Sequence, residues 1–482
     1  MRAMTSSEKE SRSESEKAKS SSQESIDKFA HLNGFDTKSP YDDSGNFPHI
    51  HYKTKIHPLR FRVRQALLPL IRAETPILSQ IQRRLRSPLL DYYFAWTANL
   101  AAHTFYVLML PLPCWFGYGG TTRDLVFLLG YGIYVSGYIK DFCCLPRPRS
   151  PPLHRITMSG YTAKEYGFPS SHSANATAVS VYLMFEIWKH RDSFGSTSSF
   201  VLASLALSIY YFSLIFGRVY CGMHGLADII VGSLIGGSLY SLRMWTAESY
   251  DRFILEKPVY VVLSVVLFNY ALIYFHISPV DDCPCYDDSV AFIGVIMGFE
   301  LSNWIFVRTD LRSDLMNPLD ISMPYSFEQS GVLKSLIRVV IGILLVAIWK
   351  EISKPLLLKL FQPVYNLLNR KPDAPTFNRI RSATMDKHET DVTGFVKEMS
   401  SRKTRDIVGP QSTIDLTEFE DLKEHKEYFE ALDKLQQDNV VFTCGVFKNR
   451  YDITIIVRLI VYAGIPFTAM VVFPIVVRSI GL

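Results

Sequence analysis

The chain has 482 residues, of which 48% are hydrophobic and 20% are charged, and its formal net charge is +5. From about Phe94 onward, apolar residues are concentrated in runs near the roughly 18–20 residues that span a bilayer, which excludes an ordinary soluble protein. The modest net charge, with no basic face on a soluble domain, argues against nucleic-acid binding. Seven cysteines in so long a chain do not form a disulfide framework, so we expect unpaired thiols and no metal site.

The first part of the chain is polar. Residues 1–55 are rich in Ser, Glu and Lys, which predicts a disordered tail because such a segment buries too little apolar surface to order itself. Residues 56–87 carry seven arginines and one acid, Glu74, among leucines and isoleucines. This pattern indicates a basic amphipathic segment that lies on anionic lipid headgroups, and a soluble linker before the first span is the alternative.

The apolar runs predict an all-α, polytopic helical membrane protein with about eight or nine transmembrane helices. The helical-bundle core is expected in residues 88–246, additional spans in 247–358, a charged soluble insertion in 359–450 and a final span in 451–482. A helix is predicted in the insertion from about Leu416 to Gln437. The predicted spans are Phe94–Phe116, Asp124–Phe142, His172–Trp188, Phe200–Phe216, Leu226–Trp245, Val259–His276, Ser289–Val307, Leu336–Ile352 and Ile453–Val477.

Small residues recur inside two of the core spans and predict that helices approach each other closely there. They are Gly130, Gly132, Ser136 and Gly137 in the second span, and Gly232, Gly236 and Gly237 in the fifth.

Three polar blocks lie at the ends of the core spans: Lys140–Pro148 (KDFCCLPRP), Pro169–His172 (PSSH) and Arg218–Asp228 (RVYCGMHGLAD). The first two share the loop between the second and third spans. The third lies between the fourth and fifth spans, two crossings later. All three blocks are therefore expected on the same side of the membrane.

Each block also has an ordinary interpretation. Cations after a span, such as Lys140 and Arg147, are typical interfacial anchors, and serines before a helix are typical caps. His224 and Asp228 are four residues apart, which favours a hydrogen bond on one helical face that is only structural.

Taken together, the blocks indicate a site for a phosphate group. Cations, hydroxyls and a helix N-terminus favour an anion, and a carboxylate that orients an imidazole leaves its other nitrogen free to attack. An ionisable residue such as His172 at a membrane boundary also indicates a functional role.

The order K-x6-RP, PSxH, R-x5-H-x3-D resembles the three-part motif of the type 2 phosphatidic acid phosphatase superfamily. The segments PRPRSPP, EYGFPSSH and RVYCGMHGLAD, with two spans before the first block, are similar to its long-chain base phosphate branch. These are the sphingosine-1-phosphate and dihydrosphingosine-1-phosphate phosphatases of the endoplasmic reticulum, and the chain resembles a fungal member. The resemblance covers about Pro88 to Trp245. Gly217 departs from it, because the superfamily usually has Ser before the Arg, and Ser171 replaces a frequent Gly.

The resemblance implies a phosphatase that forms a phosphohistidine intermediate, with lipid phosphate as its substrate and membrane lipids as its surroundings. His224 would be the nucleophile, Asp228 would orient it, and His172 would be the general acid. The resemblance also implies an active site on the lumenal side of the endoplasmic reticulum membrane. Without a metal or other cofactor, the phosphate would be bound by Lys140, Arg147, Ser170, Ser171 and Arg218.

Two alternatives remain at this stage. The same superfamily contains enzymes for phosphatidate and polyprenyl diphosphates, and the motifs read the phosphate rather than the tail. A lipid transporter or membrane scaffold is the non-enzyme alternative, because Glu300 and Arg338 lie in or near apolar segments.

Overall fold

The regular structure of this chain is helical, with no β-strand in the residues that are described. The computed structural model describes residues 44–46, 49–101, 103–150, 152–158, 164–281, 283–317, 319–368 and 453–481. Most of the predicted tail (1–55) and insertion (359–450) lie outside these ranges, as does the whole predicted helix from Leu416 to Gln437.

The helices follow one another through short connections, with 3-10 turns at Ala98–Ala101 and Arg191–Ser193 and a π-helical turn at Thr468–Val472. In chain order the α-helices of the described residues are α1 (His49–Lys55), α2 (Pro58–Ala73), α3 (Thr75–Leu85), α4 (Pro88–Thr97), α5 (His103–Met109), α6 (Pro111–Trp115), α7 (Gly119–Cys143), α8 (Ser171–Lys189), α9 (Thr197–Tyr220), α10 (Leu226–Leu255), α11 (Val259–Tyr274), α12 (Cys285–Phe306), α13 (Phe327–Leu368), α14 (Ile453–Phe467) and α15 (Phe473–Ser479).

Five helical segments in the described residues are long and apolar enough to cross a membrane: α9, α10, α12, α13 and the run from Ile453 to Ser479. The prediction of eight or nine spans exceeds this number. Helices α7 and α8 are long enough, with 25 and 19 residues, but are more polar because they contain site residues. The apolar stretches Phe105–Trp115 and Val259–Tyr274 are shorter. The chain is a multi-pass membrane protein.

The first predicted span, Phe94–Phe116, is not one continuous helix. The structure divides it into the end of α4, a 3-10 turn, α5 and α6. Pro111 begins α6, and a proline there has no N–H with which to continue the preceding helix. The prediction of one continuous span over this apolar run is therefore wrong, because its prolines prevent one long helix.

Two boundaries also differ from the predicted ones. The end of the predicted tail forms α1, where Tyr52 is fully buried and donates to Oδ2 of Asp281 at 2.6 Å. Helix α13 continues to Leu368, into the predicted soluble insertion, and its non-helical residue Gly331 has a φ of 63°. Both helices therefore lie within segments that the sequence assigned to the tail and to the insertion.

Helix α12 lies at the centre of the described structure. It packs against α7 on one side and against α14 on the other. In its most apolar stretch of 18 residues, 78% of the residues are buried. A helix that is apolar on all sides is suited to such a buried position. Helix α12 therefore joins the core helices α7–α10 to the later part of the chain.

Helices α8 and α10 are in close contact at their small residues. A Cβ atom at Gly232 would meet the carbonyl oxygen of Ser170, and one at Gly236 would meet that of Ala174. The predicted role of these two glycines is confirmed, whereas a Cβ at Gly237 would have nothing within 4 Å. This close approach brings the first turns of α8 and α10 together, which is where two of the polar blocks begin.

The basic segment forms α2 and α3 and packs over this end of the bundle. Arg64 is buried and donates to the carbonyl oxygen of Cys144 at 2.5 Å, and Arg60 donates to that of Phe142 at 3.0 Å. Arg72 donates to the carbonyl oxygen of Arg147 at 3.1 Å. These arginines hold the loop that follows α7.

The opposite face of α2 and α3 is exposed. Leucines and isoleucine stand there beside arginines, the composition that the predicted contact with lipid headgroups requires. That contact stays a prediction. The exposed residues are Leu59, Arg62, Leu70, Ile77, Arg83 and Arg84.

Candidate active site

The three polar blocks converge at one end of the core helices, as predicted. Lys140 lies in the last turn of α7 and Arg218 in the last turn of α9. Ser170 is the N-cap of α8, and Asp228 lies in the first turn of α10. Because the backbone N–H of Ser170 donates to the carbonyl oxygen of Asp228 at 3.0 Å, the second and third blocks are in direct contact.

His224 is buried at the centre of this arrangement. Its Nδ1 lies 2.9 Å from the carbonyl oxygen of Gly167, and its Nε2 lies 3.1 Å from Nη1 of Arg147. A carbonyl oxygen can only accept, so Nδ1 carries the proton and the lone pair is on Nε2. The lone pair of Nε2 therefore accepts from the guanidinium of Arg147, the cation of the first block.

Asp228 contacts His224 in a way that differs from the prediction of a shared helical face. His224 precedes α10, whose N-cap is Gly225, and Oδ2 of Asp228 accepts from the Gly225 N–H at 2.8 Å. The same oxygen lies 3.5 Å from Nδ1 of His224. A capping arrangement, rather than helical periodicity, brings the two side chains together, and the Gly167 carbonyl is the nearer partner of Nδ1.

The surroundings of His224 keep it neutral at pH 7. Burial lowers the pKa of His224 well below its usual value of 6.5, and the positive charges of Arg147, Lys140 and Arg218 lower it further. Burial also lowers the pKa of Arg147, to about 10, so its guanidinium remains charged at neutral pH. A neutral imidazole beside fixed cations is the protonation state that a nucleophile requires.

Two of the predicted phosphate ligands face a carboxylate that the sequence reasoning missed. Glu165 pairs with the ammonium of Lys140 through Oε2, and the same oxygen lies 3.9 Å from Nη2 of Arg147. Arg147 also donates to the carbonyl oxygens of Glu165 and Met223 at 3.1 and 2.7 Å. Glu165 opens the EYGFPSSH segment, so the signal for it was present in the sequence.

Three of the predicted residues, Lys140, Ser171 and His172, border a small cavity at the start of α8. Glu165 also lines it, and Asp288 of α12 borders it as well. His172 is half-buried, and it is close enough to His224 for its charge to influence the pKa of that residue. His172 and His224 therefore belong to one site.

The two serines have partners that their helix position explains. Oγ of Ser170 accepts from the N–H and the hydroxyl of Ser173 at 3.2 and 3.0 Å, so it caps α8 as the ordinary interpretation expects. Oγ of Ser171 accepts from the Ser136 hydroxyl at 2.9 Å. Each hydroxyl also carries one proton that it can donate, and a phosphate oxygen is an acceptor of the kind it can take.

A second missed residue is Glu74, the single acid of the basic segment. Its carboxylate accepts from the backbone N–H groups of Leu226 and Ala227 at 2.7 and 2.9 Å. These are the first residues of α10, whose free N–H groups favour a negative charge. Glu74 thus holds the helix start that carries Asp228, and its isolation among arginines was the available signal.

The expectation that all cysteines are unpaired is wrong for one pair. Cys283 and Cys285 form a disulfide, because the intervening proline turns the chain so that both side chains meet. Asp141, Cys283 and Cys285 are the group in the described residues whose ligand atoms come close enough for a metal ion. With both sulfurs bonded to each other, this group offers no thiolates and does not fit a metal.

We predict that Glu165→Gln destabilises the free protein by about 3 kcal/mol, because it leaves the buried ammonium of Lys140 without a charged partner. Inorganic phosphate or vanadate should then raise the melting temperature of the variant more than that of the wild type, since the anion no longer competes with a carboxylate. Glu248→Gln is the control, because Glu248 is exposed and pairs with Arg252 on α10. Equal stabilisation by the anion in all three proteins would show that Glu165 does not neutralise the anion site.

Several known proteins are similar to this chain in sequence. Residues 121–250 match the PAP2 superfamily. The chain is 40% identical over 310 residues to a dihydrosphingosine 1-phosphate phosphatase of Saccharomyces cerevisiae. The aligned residues make up 64% of this chain and 74% of that protein. It is 39% identical over 334 residues to a dihydrosphingosine 1-phosphate phosphatase of Schizosaccharomyces pombe, covering 68% and 79%.

A more distant relative is sphingosine-1-phosphate phosphatase 2 of Mus musculus, 27% identical over 290 residues, covering 59% of this chain and 78% of that protein. No solved structure matches the chain. Two findings carry the family assignment: the matched residues 121–250 and the identity to both yeast proteins over most of their length. The chain therefore belongs to the PAP2 superfamily, in the branch of the long-chain base phosphate phosphatases.

Proposed function

We propose that this chain is a lipid phosphate phosphatase that hydrolyses long-chain base 1-phosphates to the free base and phosphate. Dihydrosphingosine, phytosphingosine and sphingosine 1-phosphate are the substrate candidates, in agreement with the names of its yeast and mouse relatives. The observation that carries the proposal is the neutral His224, whose Nε2 faces the guanidinium of Arg147 at 3.1 Å.

The proposed first step transfers the phosphoryl group to the protein. Nε2 of His224 attacks phosphorus and forms the P–N bond while the P–O bond to the lipid breaks. Lys140, Arg147 and Arg218 hold the non-bridging oxygens, with the hydroxyl of Ser170 and the first-turn N–H of Ser171 as further donors. His172 gives a proton to the departing alkoxide, which is a poor leaving group without a general acid.

The positive charge that forms on the His224 ring during this step has two partners. The Gly167 carbonyl fixes the proton on Nδ1, and the carboxylate of Asp228 stabilises the charge from 3.5 Å. Oδ1 of Asp228 is buried and has no hydrogen-bond partner in the described residues, so its charge is available to the ring. Asp228 thus acts more through its charge than by setting the tautomer.

The second step returns the protein to its starting state. His172, now neutral, takes a proton from water, and the hydroxide attacks the phosphohistidine so that the P–N bond breaks. Phosphate leaves, and the lipid product remains in the bilayer. Three fixed cations stabilise the transferring group, and we propose that the reaction requires no metal.

His224→Ala should lower the release of phosphate from dihydrosphingosine 1-phosphate by at least about a thousandfold, because it removes the nucleophile. His190→Ala is the control, since His190 is exposed at the other end of α8. Activity of the wild type should survive EDTA. Full turnover by His224→Ala, or loss of wild-type activity in EDTA, would contradict the mechanism. Faster hydrolysis of phosphatidate or of a polyprenyl diphosphate would instead place the chain in another branch.

His172→Ala should affect substrates according to their leaving group. With an alkyl phosphate, the first step should slow by about 10²–10⁴-fold, because the alkoxide leaves unprotonated. With an aryl phosphate, the first step should proceed and release about one aryl alcohol per protein. The phosphohistidine should then accumulate because the base for the second step is missing. Equal losses on both substrates, with no burst, would contradict this role.

We further propose that the protein resides in the endoplasmic reticulum membrane with the active site toward the lumen. The sequence of the branch supports this side, and the arginines at positions 60, 64 and 72 bind protein carbonyls rather than lipid. We also propose that α7 and α8 cross the membrane, and that the apolar stretches Phe105–Trp115 and Val259–Tyr274 complete the predicted number of about eight or nine spans. Helices α7 and α8 both pack against the apolar α10, as expected of neighbouring spans.

Glycosylation acceptor sites can test both points in one experiment. A site placed within residues 152–158, in the loop between α7 and α8, should be glycosylated if the active site is lumenal. A site placed near Gly195, between α8 and α9, should remain unmodified if α8 crosses the membrane. Modification at both places would show that α8 does not cross, and modification only near Gly195 would reverse the sidedness.

A further inference from the structure

An apolar cavity lies between the core and the later helices, and the proposed mechanism does not use it. It is enclosed by α5, α6, α7, α12 and α14 and by the π-helical turn. The hydroxyl of Thr122, which borders it, donates to the carbonyl oxygen of Leu110 at 3.2 Å. The remaining lining is apolar and includes Val107, Val126, Val295, Ile465, Ala469 and Met470. Such a lining is suited to a hydrocarbon chain.

The apolar cavity follows the site cavity along two helices, α7 and α12. On α7, residues 140, 137 and 133 line the site cavity, and residues 126 and 122 line the apolar cavity. On α12, residues 285 and 288 line the first, and residues 292, 295 and 299 line the second. Steps of three, four or seven residues keep side chains on one helical face. One face of α7 and one face of α12 therefore border both cavities.

Side chains of one buried cluster lie where the two cavities approach each other. Ile133 lines the site cavity and Phe292 lines the apolar cavity, and both belong to one buried cluster. Phe292 is one turn along α12 from Asp288, which borders the site cavity. A change of rotamer at Phe292 or Ile133 is a small movement compared with a movement of helices.

The distance along α7 suits one lipid tail. Lys140 and Val126 are fourteen residues apart on this helix, which corresponds to about 21 Å along its axis. C–C bonds of about 1.5 Å advance an extended chain by roughly 1.3 Å per carbon, so about 18 carbons cover about this distance. With the phosphate near Lys140, one extended tail therefore reaches the end of the cavity at Val126.

We propose that this cavity binds the alkyl chain of the substrate while its phosphate is held at His224. The inference rests on the proposed function and adds the residues that select the chain. Helices α12 and α14 contribute Val295, Phe299 and Ile465, all of which lie after the matched residues 121–250. The superfamily core thus binds the phosphate, and the later helices select the substrate by the length of its tail. A path along one face of each helix suits a single-chain lipid better than a lipid with two chains.

Filling the cavity should shift the preference toward shorter chains. The variants Val295→Phe and Ala469→Phe add volume at two separate helical segments that line it. Each methylene that loses its buried position weakens binding, so the ratio of kcat/KM for a chain of about 18 carbons to that for about 10 carbons should fall about tenfold. The control is Val201→Phe, the same substitution at an exposed position of α9. It should leave the ratio as in the wild type.

An unchanged ratio in both cavity variants would overturn the proposal, whether their activity is intact or reduced equally on both substrates. If the wild type hydrolyses neither the long-chain nor the short-chain substrate, the proposed function is contradicted instead. The cavity inference, which rests on that function, is then contradicted as well. A binding measurement separates the two cases further. In His224→Ala, a dihydrosphingosine 1-phosphate with a photoreactive group at its chain end should label residues 292–299 or 465–470. Labelling confined to exposed residues of α9, such as Leu205, would contradict the proposal.

Discussion

The hydrogen bond between Nδ1 of His224 and the carbonyl oxygen of Gly167 is the interaction on which the site depends. It is 2.9 Å long and buried, and it leaves the lone pair of Nε2 toward Arg147. A ring rotated or protonated differently would turn an N–H instead of a lone pair toward the guanidinium of Arg147. Burial then keeps this imidazole neutral, because the charged form would lose its hydration next to three cations.

Much of the surrounding structure holds the two loops that meet at this bond. Arg60, Arg64 and Arg72 bind backbone carbonyls in the loop that follows α7, and Glu74 binds the first N–H groups of α10. The segment before the first membrane helices therefore positions the site from outside the bundle. Its charges are bound to the protein on one face, while its other face remains exposed.

The buried positive charges of the site have negatively charged partners within the protein. Lys140 and Arg147 are buried, and buried cations require partners. Glu165 supplies a negative charge to both, and the carboxyl group of Asp228 lies beside His224. A bound phosphate brings negative charge to the same cations, so substrate binding exchanges one set of partners for another rather than creating new buried charge. Helices α7 and α12 each border the polar end with one stretch and the apolar cavity with another.

The sequence by itself determined the helical membrane class, most of the helix positions and the eight residues of the three blocks. Apolar run length and the order of the blocks along the chain are local properties, and local properties are readable without coordinates. The small residues Gly232 and Gly236 also indicated where helices touch. The broken first span was misread because run length was weighed above the prolines at positions 111 and 113.

Only the tertiary structure decided which atoms meet. Glu165, Glu74 and the Gly167 carbonyl are distant in sequence from their partners, and a backbone carbonyl has no sequence signature at all. His224 and Asp228 were paired correctly, but by a helix cap rather than by a shared helical face. The apolar cavity likewise arises from residues more than 300 positions apart, such as Val126 and Ala469, which no periodicity connects. The motif thus specified the chemistry because its residues are clustered in the chain. Packing of distant helices decided the tautomer of His224, the balance of charge around it and the space left for a lipid tail.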